Sequence, residues 1–122
     1  MEAKELRIGN YVNFKFHKDS GGIKKVEVFL SDIENLIHGG NRSKYYEPIP
    51  LTEDWLVKFG FKKGVVKLGC QEYWIDGVLG VYKMVGSYPH FAHGAINDIK
   101  LKHVHKLQNL YFALTNEELT IK

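Results

Sequence analysis

The chain has one cysteine, Cys70, so no disulfide can form within it, which is the usage expected in a reducing compartment. No apolar run approaches the ~18 residues that cross a bilayer as a helix. The opening Met1-Glu-Ala-Lys-Glu5 lacks the basic-then-apolar layout of a secretory signal. These absences predict a cytoplasmic protein with no membrane partner. An excess of charge of either sign is also lacking. The 17 Lys and Arg against 14 Asp and Glu leave +3, which does not by itself imply nucleic acid. Only three prolines occur, and no low-complexity tract, internal repeat or linker divides the 122 residues, so a single domain is expected.

Catalytic signatures are missing too. There is no Gly-x-Ser-x-Gly elbow, and Gly60-Phe-Lys-Lys-Gly64 is too short for a phosphate loop and lacks its Lys-Ser/Thr ending. Cys70 follows Leu68-Gly69 at a strand end with no histidine paired to it by any signature, which reads as a structural, half-buried thiol. The acidic pairs Glu53-Asp54 and Glu117-Glu118 read as helix-start charge and a solvated turn. The expectation is a protein that is not an enzyme and has no cofactor.

What the chain does have is apolar patterning, with 44% hydrophobic and 13% aromatic residues, enough to build a core. Leu6, Ile8, Val12, Phe14 and Phe16 share one parity, the period of a half-buried strand, with a bend or bulge expected at Gly9-Asn10. Asp19 to Gly22 reads as a turn, and Lys25 to Leu30 as the second strand of a hairpin. Residues 31–37 fit either a short helix capped by Ser31 or a bent strand continuing through Ile33. After a polar loop over 38–44, Pro48 and Pro50 confine any strand in 45–51 to an edge or an early end.

Thr52 begins a short helix with Glu53 and Asp54 in its first turn, Trp55, Leu56 and Phe59 on one face, and Gly60 as its terminator. From Val65 to Val85 the pattern predicts a three-stranded meander, its second turn at Asp76-Gly77, with a last strand apolar on both faces and therefore central. Gly86 to Asn97 reads as a loop. Leu101, Val104, Leu107, Leu110, Tyr111 and Leu114 then recur at threes and fours as a second helix, with Leu107, Leu110, Tyr111 and Leu114 facing the sheet. Residues 118–121 read as a return to strand. The class predicted is α+β: a curled antiparallel N-terminal sheet over 5–51, then over 52–122 a helix, an antiparallel meander and a C-terminal helix, all sharing one core.

Three blocks carry a likeness: 5–12 (ELRIGNYV), 46–61 (YEPIPLTEDWLVKFGF) and 103–121 (HVHKLQNLYFALTNEELTI). With them the chain resembles a family of small uncharacterised Bacteroidetes proteins, many of them phage-like or mobile-element cargo. That resemblance implies a stand-alone cytosolic protein and transfers no catalytic residue.

Three binding chemistries remain. Aromatics alternate with positive charge around Phe14-Lys-Phe-His-Lys18 and Phe59-Gly-Phe-Lys-Lys63, a pattern suited to stacking on bases while neutralising phosphates. Residues 1–70 hold twelve basic against nine acidic groups and the remainder five against five. The nucleic-acid set is Tyr11, Lys15, His17, Lys18, Lys24, Lys25, Lys62 and Lys63, while Phe14, Phe16 and Phe59 have the parity of core residues. Tyr45, Tyr46, Trp74 and Tyr88 are aromatics expected at the surface. Trp74 shares parity with Glu72 and Asp76, so it is a candidate anchor for a protein partner or a second copy. His90, His93, His103 and His105 form the metal-ligand set. On a helix, however, His103 and His105 diverge by roughly 200°, and no cysteine completes a zinc site. Protein association is the first expectation, nucleic-acid binding the second and histidine metal binding the third.

Overall fold

In the computed structural model of the chain, the described residues are 3–15, 23–38, 46–67, 69–75, 79–84, 91–93 and 99–122. The turns expected at 19–22 and at Asp76-Gly77 lie outside them, as do the loop over 39–44 and most of that over 86–97. The architecture is α+β with antiparallel pairing throughout. Two compact units divide the chain, one of residues 1–49 with 103–109, the other of 50–102 with 110–122. The last helix, which the sequence groups wholly with the second part, is thus shared between the two.

In the first unit a 3-10 turn over Ala3–Glu5 leads to β1 (Tyr11–Lys15), which pairs with β2 (Ile23–Glu27) and with β3 (Tyr46–Glu47), in the order β2-β1-β3. β3 is a two-residue edge strand, as the following Pro48 and Pro50 require. Gly9 has φ +99° and closes a turn in which Asn10 N–H donates to Arg7 C=O at 3.1 Å. Gly9 N–H donates to Val28 C=O, and Val28 N–H donates to Asn10 C=O, so two residues oppose one in a glycine-first bulge. Strand alternation does not reach back before β1, because residues 7–10 form a turn: Leu6 is buried, whereas Ile8, expected inside, is exposed on that turn. Leu6, Val12, Val28 and Tyr46 form the core, with Phe14, Ile33 and Leu36 packed against it.

Residues 30–38 resolve as helix α1 (Leu30–His38). The helix starts at Leu30, one residue before Ser31, and not after it. Asp32 Oδ2 reaches back to accept from Phe29 N–H at 2.8 Å, closing the helix start, and its Oδ1 accepts from the Tyr46 hydroxyl at 2.8 Å.

In the second unit Thr52 caps α2 (Glu53–Phe59), accepting from Trp55 N–H at 3.4 Å, and Gly60 ends it at φ +95°. Trp55, Leu56 and Phe59 are buried, the rings of Trp55 and Phe59 5.5 Å apart. A five-stranded sheet follows in sequential order: β4 (Lys62–Lys67), β5 (Cys70–Ile75), β6 (Leu79–Met84), β7 (Phe91–His93) and β8 (Ile99–Leu101). The expected three-stranded meander is therefore extended by two strands from a stretch read as loop and helix start. β6, apolar on both faces in the sequence, is the central strand. One face of this sheet is buried through Tyr73, Ile75, Leu79, Val81, Phe91 and Leu101.

Leu101 ends β8, and α3 (Val104–Thr115) begins three residues later. Val104, Leu107 and Tyr111 are buried, but Leu114, expected to face the sheet, is 50% exposed one residue from the helix end. Residues 118–121 form no strand. Leu119 is buried, and Lys122 N–H donates to Lys58 C=O at 2.8 Å.

Candidate functional site

The face of the five-stranded sheet opposite its buried side takes Lys62 and Gly64 from β4, Glu72 and Trp74 from β5, and Gly80 and Tyr82 from β6. Direct cross-strand partners share a face: Trp74 lies opposite Lys62 on one side and Gly80 on the other, and Glu72 lies opposite Tyr82. Trp74 is 45% exposed. A β-carbon at Gly80 would lie 2.7–2.8 Å from three consecutive carbons of its six-membered ring. Three near-equal distances place the ring face-on over the Gly80 backbone, so glycine there is the condition for the ring to lie on the sheet. Gly64 on the other flank is not required in this way, since a β-carbon there would stand 3.7 Å from Trp74 Cδ1, an ordinary van der Waals contact. The indole Nε1–H donates to Glu72 Oε2 at 3.3 Å, which fixes the ring's direction.

Beside this ring β4 is irregular. Its register shifts between Lys63 and Val66, one residue more than β5 spans, and Gln71 Nε2–H donates to Gly64 C=O at 2.7 Å and to Glu72 C=O at 3.1 Å. The bulge leaves Val65 and Val66 both exposed on an edge strand, Val66 paired with Gln71 and so off the face of Trp74.

The aromatic set expected at the surface divides. Trp74 is exposed. Tyr46 is not: it is 3% exposed, because its ring packs at 5.1 Å from Phe14 while its hydroxyl has Asp32 as partner. Tyr45 and Tyr88 lie outside the described residues.

Within the nucleic-acid set, Tyr11 and Lys15 lie on β1, and Lys24 and Lys25 pair with Phe14 and Asn13 from β2. His17 and Lys18 lie outside the described residues. Lys62 and Lys63 alternate across β4, Lys62 on the face of Trp74 and Lys63 opposite buried Tyr73. Lys63 Nζ is 3.4 Å from Glu53 Oε1. The Tyr73 hydroxyl is pushed above the usual phenol range, first by burial and then by the charge and hydrogen bond of Glu53.

Of the metal set, His90 lies outside the described residues, and His93 lies on β7. His103 and His105 do not diverge as expected. His103 stands before the first helical residue, its C=O accepting from Lys106 and Leu107 N–H, so helical spacing does not apply to it. Its ring stacks on that of His105, 5.7 Å between centroids and 7° between planes. His105 is 1% exposed, and neither ring nitrogen has a hydrogen-bond partner. Its Nε2 is 3.9 Å from Glu5 Oε1, to which Lys106 Nζ approaches within 3.5 Å. Burial, and then the positive charge of Lys106, lower its pKa from 6.5 to about 4 against the opposing pull of Glu5. Among the described residues no group of three or more His, Cys, Asp or Glu side chains is placed to hold a metal ion.

The sequence reading missed an amide network. Gln108 Oε1 accepts from Tyr11 N–H at 2.8 Å and its Nε2–H donates to Gly9 C=O at 3.0 Å, so one side chain serves the strand as a neighbouring strand would. Asn109 Nδ2–H donates to Glu5 C=O at 2.9 Å, and Asn109 Oδ1 accepts from Asn10 Nδ2–H at 3.1 Å. Asn10 Oδ1 accepts from Arg7 N–H at 2.7 Å. The signal was available: Gln108 occupies the buried stripe of Val104, Leu107 and Tyr111, where a polar side chain needs partners.

Comparison with known protein families, with curated proteins and with solved structures finds no match to the chain.

Proposed function

We propose that the chain is a non-enzymatic binding protein that associates with a protein partner, or with a second copy of itself, through the outer sheet face centred on Trp74. The observation that carries this reading is the half-exposed indole laid face-on over Gly80. A large ring already fixed in place loses little freedom on contact, which is the character of an interface anchor. The likeness to phage-like or mobile-element cargo makes an accessory role in such an element, in the cytoplasm, the setting we infer. Among the described residues no helix is long and apolar enough to cross a membrane.

A photo-crosslinking residue at position 62, directly across from Trp74, tests the reading in the producing cell. The expected product is a protein adduct, a crosslinked dimer or a hetero-adduct, that disappears in Trp74→Ala. No adduct, or one that survives Trp74→Ala, overturns the proposal. An adduct to nucleic acid favours the second reading, which the position of Lys62 beside the ring supports. Fluorescence anisotropy of labelled single strands would then show affinity falling steeply between about 50 and 200 mM salt.

A further inference from the structure

His105, Gln108 and Asn109 stand at i, i+3 and i+4, so they share one face of α3. Gln108 and Asn109 on that face hold the backbone of residues 5–11 through the hydrogen bonds of their side-chain amides to Glu5, Gly9 and Tyr11. His105 is the titratable member, and it lacks what a charged imidazole needs. It has no exposed surface to speak of and no acceptor within hydrogen-bond distance. Among the described residues Glu5, on the 3-10 turn, is the negative group that faces it, at 3.9 Å, and Lys106 already stands 3.5 Å from the same oxygen. Lys106 and His103 on its own segment, and the chain's amino group, all oppose a positive charge there.

We propose that His105, with Glu5 and Lys106, is an acid-sensitive catch on the amide clasp that fastens residues 5–11 to the first two turns of α3. The neutral ring packs in place. The protonated ring is stable only in water, and because it rides on the same turns as Gln108 and Asn109, its exit draws those amides off the strand. The lowering of its pKa to about 4 is the cost of charging it in place, seen from the proton's side.

Tyr11 N–H, which donates to Gln108, reports the clasp by hydrogen exchange. Corrected for intrinsic exchange, its opening equilibrium is expected to rise about thirty-fold from pH 7.5 to pH 5, the ratio given by an imidazole near 6.5 when released and near 4 when clasped. The opening is local, so low urea leaves it unchanged while loosening Tyr73 N–H in the second unit's sheet. His105→Gln, neutral at every pH in this range, is expected to abolish the acid response. An acid response that persists in His105→Gln, or a Tyr11 opening that follows urea as steeply as Tyr73, overturns the catch. Should the variant fail to fold, the imidazole titration in the wild-type protein decides by NMR. A midpoint well below 6.5 supports the catch, and one at or above 6.5 overturns it.

Discussion

Gly80 shows how a residue with no side chain fixes the position of a large one. Replacing it with alanine puts a carbon 2.7–2.8 Å from three ring carbons of Trp74, so the indole must lift. Alanine in a strand also restricts the unfolded chain, which offsets the lost ring contact. The expected result for Gly80→Ala is a stability change below about 1 kcal/mol by urea titration, because the two effects oppose each other. Trp74 emission in a Trp55→Phe background shifts to the red, and the crosslink at position 62 weakens. Unchanged emission would show that the ring does not lie on Gly80. Trp74 was legible because parity alone places it with Glu72 on the outer face. Tyr46 was not, since the partner of its hydroxyl, Asp32, lies 14 residues away and no local pattern announces it.

At the scale of elements, α2 was legible throughout because its determinants are its own. They are the Thr52 cap, acidic residues in the first turn, Lys58 in the last and Gly60 beyond it. Seven residues are too few to hold a helix by propensity, so the cap matters. Thr52→Ala is expected to cost about 1 kcal/mol in urea titration, with Thr52→Ser near neutral. Equal losses in both variants would mean that the hydroxyl does not act as the cap. β7 and β8 were illegible for the converse reason. Each is three residues long and made by ladder pairing, Phe91 with Leu101 and His93 with Ile99, and not by local preference. Leu101 fell at helical spacing from Val104 and so was absorbed into the wrong element. The stacking of His103 on His105 escaped notice with it, since a helix begun too early turns the two rings apart.

For the whole molecule the buried imidazole sets the acid side of the stability curve. His105 has a folded pKa near 4 and an unfolded value of 6.5, so between these the unfolded chain binds more protons. Stability from this group is therefore complete above about pH 6.5 and is lost as pH falls toward 4, by about 3 kcal/mol in all. Urea midpoints measured from pH 8 to 4 should decline across that window and not above it. Glu5→Gln, which removes the one charge favouring the imidazolium, should steepen the decline. A curve flat through the window would refute the assignment. The division of α3 between the two units bears on how the chain is made. Tyr11 waits for Gln108, 97 residues downstream, and Glu5 waits for Asn109, 104 downstream. At roughly 5 to 20 residues per second, a ribosome takes several seconds to supply those amides. Through that interval the bulge at Gly9-Asn10 can make its bonds to Val28, but the clasp of Gln108 on either side of it has yet to be synthesised.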